Sequence, residues 1–98
     1  MAKCSTKLSL EKMAEALQIL AQPLRLQIVC MLSKADKVCV CKMVEKFWLK
    51  QNLISHHLGM LKRIWIVETE RQGVKIFYSL NQQVYEDLKS SLKNIFNI

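Results

Sequence analysis

Glycine and proline are scarce, with two Gly and one Pro among 98 residues. So few chain breakers exclude a flexible linker or a low-complexity tract, and no segment repeats. Long apolar runs are missing too: none approaches the roughly 18–20 residues of a membrane span. The N-terminus has no signal-peptide h-region. The expectation is a cytoplasmic protein with no membrane partner, whose cysteines stay reduced. There is no Ser/His/Asp constellation, no phosphate loop and no paired acids in a recognisable site, so an enzyme is not expected. Acidic residues are also few, eight Asp+Glu against fifteen Lys+Arg, for a formal charge of +7. That balance favours a polyanionic partner, nucleic acid before membrane. What is plentiful is apolar surface, 51% of residues. This is enough for one folded domain with a thin core, which oligomerisation would supplement.

Leu10, Met13, Ala14, Leu17 and Leu20 recur at helical spacing and predict a first helix over about 8–20. Pro23 suits the first turn of a second helix, which runs to about Ser33 with Leu24, Ile28, Met31 and Leu32 inward. After the loop "SKADK", a short helix fits 40–47, "WLKQ" is a tight connection, and 51–64 is helical. The period then changes. "IVETERQGVKIFYSL" has β-branched and aromatic residues on both sides of Gln72-Gly73, a hairpin with strands near 66–71 and 74–79. A last helix over 81–97 carries Val84, Leu88, Leu92 and Ile95 as one apolar stripe. The fold class is mainly α: a winged helix-turn-helix, α-α-α-α-β-β-α. One domain spans 1–98, with helices 8–20 and 81–97 in a homodimer interface.

The helix 51–64 turns Ile54, Leu58 and Leu61 inward. Its other side carries Asn52, Ser55, His56 and Gly59 at i, i+3, i+4, i+7, beside Gln51. Short, hydrogen-bonding side chains near a helix N-terminus are what meets base edges in the major groove of duplex DNA. Lys50, Lys62 and Arg63, and Arg71 and Lys75 on the hairpin, lie where phosphates would run, with Lys42 and Lys46 nearby. The bland reading of this face is ordinary solvated surface. His57 flanks the core and reads as a hydrogen-bonded structural histidine.

Four cysteines remain. Cys39 and Cys41 are soft ligands for As(III), Sb(III), Cd(II), Pb(II) or Zn(II). A mutual disulfide is disfavoured by the reducing compartment and by the short loop. In regular helix, residues i and i+2 lie about 200° apart. Chelation by the pair therefore predicts an unwound first turn of the 40–47 helix. Cys4 is the best third ligand, in cis or from the partner. Cys30, between Val29 and Met31, reads as a core residue. Thiol oxidation without metal is an alternative sensing chemistry. A non-sensing module for a protein or RNA partner is another.

"LAQPLRLQIVCML", "VCVCKM", "QNLISHHLGMLK" and "GVKIFYSL" together resemble the ArsR/SmtB metalloregulatory repressors, over about residues 10–80. Ser55-His56-His57-Leu58 is similar to that family's Ser-x-His-Leu. Cys39-Val40-Cys41 is similar to the Cys-Val-Cys of its arsenic-responsive branch. The resemblance implies a winged-helix homodimer on operator DNA, released when As(III) or Sb(III) binds the thiolates. A related branch takes Cd(II), Pb(II) or Zn(II) with the same pair plus N-terminal cysteines. This chain departs from the pattern in several places. Val44 stands where a third cysteine often lies, and Lys42 where an acid is common. Trp48 and Trp65 occupy usual glycines, where a positive φ is costly for a bulky residue. Asn81, Gln82 and Gln83 replace the ligands of the family's other zinc site.

Overall fold

The computed structural model describes residues 8–97. Ser9 opens the first helix, α1 (Leu10–Leu20), by accepting the Lys12 N–H on its hydroxyl at 3.2 Å. Pro23 stands in the first turn of α2 (Pro23–Ser33), where its missing N–H costs nothing. The two helices meet at 101°. A two-residue strand, β1 (Val38–Cys39), leads into α3 (Val40–Phe47), and α4 (Gln51–Arg63) follows after a tight turn. The hairpin is β2 (Val67–Gln72) and β3 (Lys75–Leu80), and α5 (Gln82–Phe96) closes the chain. Asn81 caps α5, its Oδ1 accepting the Val84 N–H at 3.2 Å. This is a winged helix-turn-helix: α3 and α4 form the motif and the hairpin forms the wing.

Strand β1 is absent from the sequence expectation. It pairs antiparallel with β3, Val38 opposite Tyr78 and Cys39 opposite Phe77, giving a sheet in the order β1-β3-β2. Two residues are too few to show a period, so only the pairing partner reveals them. The hairpin strands lie one residue later than expected, with Gln72 opposite Lys75 and Gly73 at φ 63° in the turn.

The core is built from one face of each helix. Met13, Ile28, Leu32, Met43, Ile54, Leu58 and Leu61 are fully enclosed, with Ile66 from the connection into β2. The recurring apolar residues of α1 divide between two faces. Met13, Ala16, Ile19 and Leu20 face the core, whereas Leu10 and Leu17 are 52% and 40% exposed and Ala14 is exposed as well. Helix α1 is apolar on two sides, and among the described residues one of them stays exposed. Cys30 is likewise exposed rather than buried. Ile28 and Leu32 set the inward direction of α2, and Cys30 is about 200° away from each.

Two connections have left-handed backbones. Trp48, between α3 and α4, has φ 57°, and Trp65, between α4 and β2, has φ 63°. Glycine geometry is therefore kept while tryptophan occupies it. The side chains take little part in packing, being 90% and 73% exposed.

Candidate DNA-reading surface and thiol site

Gln51, Asn52, Ser55, His56 and Gly59 are all exposed on α4, opposite the enclosed Ile54, Leu58 and Leu61. Lys50 occupies the N-cap of α4 with no side-chain cap. The positive end of the helix dipole thus opens to the side where Gln51 and Asn52 stand. Arg71 and Lys75 are exposed near the tip of the wing, where the Arg71 Nε–H donates to the Gly73 carbonyl at 3.2 Å. Not every candidate gathers at this end. Lys62 and Arg63 lie in the last turn of α4, and Arg63 lines a groove of about 300 Å³ with Lys12, Glu15 and Trp65. It faces the terminal helices, about 18 Å along the axis from Gln51.

His57 is half-buried and hydrogen-bonded, as its place beside the core predicts. The Arg25 Nε–H donates to its Nδ1 at 3.1 Å, and the Arg25 Nη1–H donates to the Ile19 carbonyl at 3.0 Å. Burial first, then the charges of Arg25 and His56, hold the imidazole below the usual histidine range. Arg25 was not a sequence-level candidate. The available signal was a charged residue at i, i+3, i+7 with the buried Ile28 and Leu32.

The thiols lie at a junction. Cys39 ends β1 and is also the N-cap of α3, with extended backbone (φ −68°, ψ 140°), and its sulfur accepts the Cys41 N–H at 3.2 Å. This corrects two expectations. Cys39 lies outside the helix, so the 200° separation does not apply and the sulfurs converge without unwinding α3. They are joined as a Cys39–Cys41 disulfide, the state the sequence reading disfavoured. The physical reason for both is the extended Cys39 backbone, which turns its side chain towards the first turn of α3.

The pair lines a cleft of about 440 Å³ with Lys37, Lys42, Lys75 and Phe77. Lys37 donates to Glu70 Oε2 at 3.1 Å and holds that carboxyl below its usual range. Its ammonium also lies 5.2 Å from the centre of the Phe77 ring. Phe77 is opposite Cys39 on one side and Glu70 on the other. One row of side chains therefore runs from the thiols across the wing. The reduced pair would offer two soft sulfurs to one ion. Among the described residues no group of three His, Cys, Asp or Glu could hold a metal. Cys4, the expected third ligand, lies outside the described residues.

A basic winged helix-turn-helix with an exposed polar face on its second helix defines a DNA-binding transcriptional regulator. The chain belongs to the arsR family of bacterial regulatory proteins, whose model matches residues 22–69. It is 33% identical over 90 residues to the arsenical resistance operon repressor of Staphylococcus aureus, covering 92% of this chain and 85% of that one. It is 35% identical over 80 residues to an uncharacterised HTH-type transcriptional regulator of Methanocaldococcus jannaschii, covering 81% and 90%. Reduced HlyU from Vibrio cholerae superposes with a TM-score of 0.71 at 30% identity, covering 81% of this chain and 83% of that one. The chain is a repressor of this family, not an enzyme. Among its described residues no single helix is long and apolar enough to cross a membrane.

Proposed function

We propose that this repressor binds operator DNA as a homodimer in the cytoplasm and is released when As(III) or Sb(III) is captured by Cys39 and Cys41, with Cys4 as third ligand. Gln51, Asn52, Ser55 and His56 read bases. Lys50, Arg71 and Lys75 hold phosphates; Lys62 and Arg63, at the far end of α4, are left out of this set. The whole of 1–98 acts as one domain, paired through α1 and α5. The exposed Leu10, Ala14 and Leu17, at i, i+4, i+7, support this pairing.

One observation carries the sensing reading: Cys39 belongs at once to the wing sheet and to the N-cap of the helix that precedes α4. The trivalent ion exchanges oxygen ligands for thiolates with no change of oxidation state. The two sulfurs must first be reduced: a small cellular thiol supplies two electrons and two protons and is itself oxidised to its disulfide. Capturing the ion then fixes the β1–α3 junction in one geometry. Strain there reaches α4 through α3 and the wing through β3. DNA release requires that the ion bind the DNA-incompetent geometry more tightly. Zn(II) would need further donors to complete a four-coordinate site, and Cd(II) or Pb(II) would compete for the same thiolates.

A second reading has its own support. The Cys39–Cys41 disulfide is itself a closed form of the junction, so thiol oxidation is an alternative signal. One operator titration separates the two, with As(III), Cd(II), Zn(II) and peroxide applied to the reduced wild type and to Cys39→Ser. Release by As(III) in the wild type alone is the expected result. Release by peroxide alone favours the redox reading. Indifference of the wild type to all four defeats both.

A further inference from the structure

Arg25 is the one strongly buried charge among the described residues, 5% exposed. No carboxylate among those residues pairs with it. A guanidinium taken out of water needs its donors used. Here they go to two neutral acceptors on different helices, the Ile19 carbonyl in the last turn of α1 and His57 Nδ1 in the middle of α4. Because the guanidinium is planar and rigid, two such bonds fix the two helices relative to each other. His57 adjoins His56 and follows Ser55 by two residues. A tether at this point therefore sets the rotation of α4 about its axis, and with it the direction of the exposed stripe. Nδ1 accepts only when it carries no proton, so the tether requires neutral imidazole.

We propose that Arg25 is a positioning residue for operator binding, locking the rotation of α4 against α1 through neutral His57, and that protonation of His57 releases the lock. The proposal rests on α4 being the DNA-reading helix. The charged and titratable groups facing His57 are Arg25 from α2 and His56 from its own helix; α1 contributes the Ile19 carbonyl through Arg25. Burial and both neighbours favour the neutral ring. The lock is therefore complete above the ordinary histidine range, near pH 6.5, and is lost as pH falls through the depressed value.

The test is operator affinity from about pH 8 to about pH 5.5, across that range. It uses the wild type, His57→Asn, Arg25→Lys and Asn52→Ala, with folding followed by circular dichroism. The asparagine amide oxygen replaces Nδ1 as an acceptor that does not titrate. His56 is kept in all four proteins. The wild type is expected to lose roughly tenfold more affinity on acidification than His57→Asn. Arg25→Lys, which cannot span both acceptors, is expected to bind roughly tenfold more weakly at neutral pH while remaining folded. Identical pH profiles for wild type and His57→Asn overturn the proposal, as does wild-type affinity in Arg25→Lys. If Asn52→Ala binds like wild type, the reading of α4 itself fails, and this inference falls with it.

Discussion

Helices α1 and α4 each bury one side in the same core, through Met13 and Ala16 on one and Ile54 and Leu58 on the other. Their free sides are opposites. On α4 it is polar and short: Asn52, Ser55, His56, Gly59. On α1 it is apolar: Leu10, Ala14, Leu17. A polar stripe beside an uncapped helix N-terminus suits a polyanion with hydrogen-bonding edges. An apolar stripe in a charged protein suits a second protein surface. The helix bends 101° into α2, which carries Arg25, so the two faces belong to one rigid frame.

The comparison is broken most severely on the apolar side. Leu17→Glu should leave a folded monomer, and operator affinity should fall by roughly 100-fold or more, because two half-sites no longer bind as one ligand. Light scattering and a duplex titration on the same sample check both statements. On the polar side, Asn52→Ala should cost about 1–3 kcal/mol of operator binding while the oligomeric state stays as in wild type. Equal effects of the two variants on mass would dissolve the contrast.

The turns at either end of α4 give a smaller effect of the opposite sign. Trp48→Gly and Trp65→Gly should each stabilise the fold by about 1 kcal/mol, since glycine removes the left-handed strain and little packing is lost. Thermal melting should show a rise of about 4–8 °C for each. A fall in either case would mean that the exposed indole packs on something in solution. The smallest effect belongs to the wing. Lys75→Ala should weaken binding evenly across sequences and lower the salt slope by about 1, which affinity measured at several salt concentrations will detect.

Much of this was legible in the residues, and the exceptions share a cause. Helix order, the hairpin, the exposed stripe of α4 and the structural histidine all follow from local periodicity and from a change of period at Ile66. The two tryptophans keep the positive φ of the glycines usual there, a point the resemblance leaves open. What was misread depends on neighbours distant in sequence. The recurrence of Leu10, Met13, Ala14, Leu17 and Leu20 predicts the helix, but periodicity does not report which of its apolar residues are covered. Cys30 reads as core from its apolar neighbours and the usual burial of free cysteine, and it is exposed. Strand β1 exists only because Tyr78 and Phe77 lie alongside it. Its extended backbone at Cys39 then decides that two sulfurs, opposed in a regular helix, meet.

Side-chain period and turn chemistry are local properties, and they were enough to specify a basic, mostly helical winged helix-turn-helix with a thiol pair ahead of α4. Packing between distant segments is what makes the thiols join the wing, ties α1 to α4 through Arg25, and leaves Leu10, Ala14 and Leu17 exposed. Those facts depend on which surfaces are pressed together, and the contacts involved join residues that lie far apart along the chain, such as Arg25 and His57.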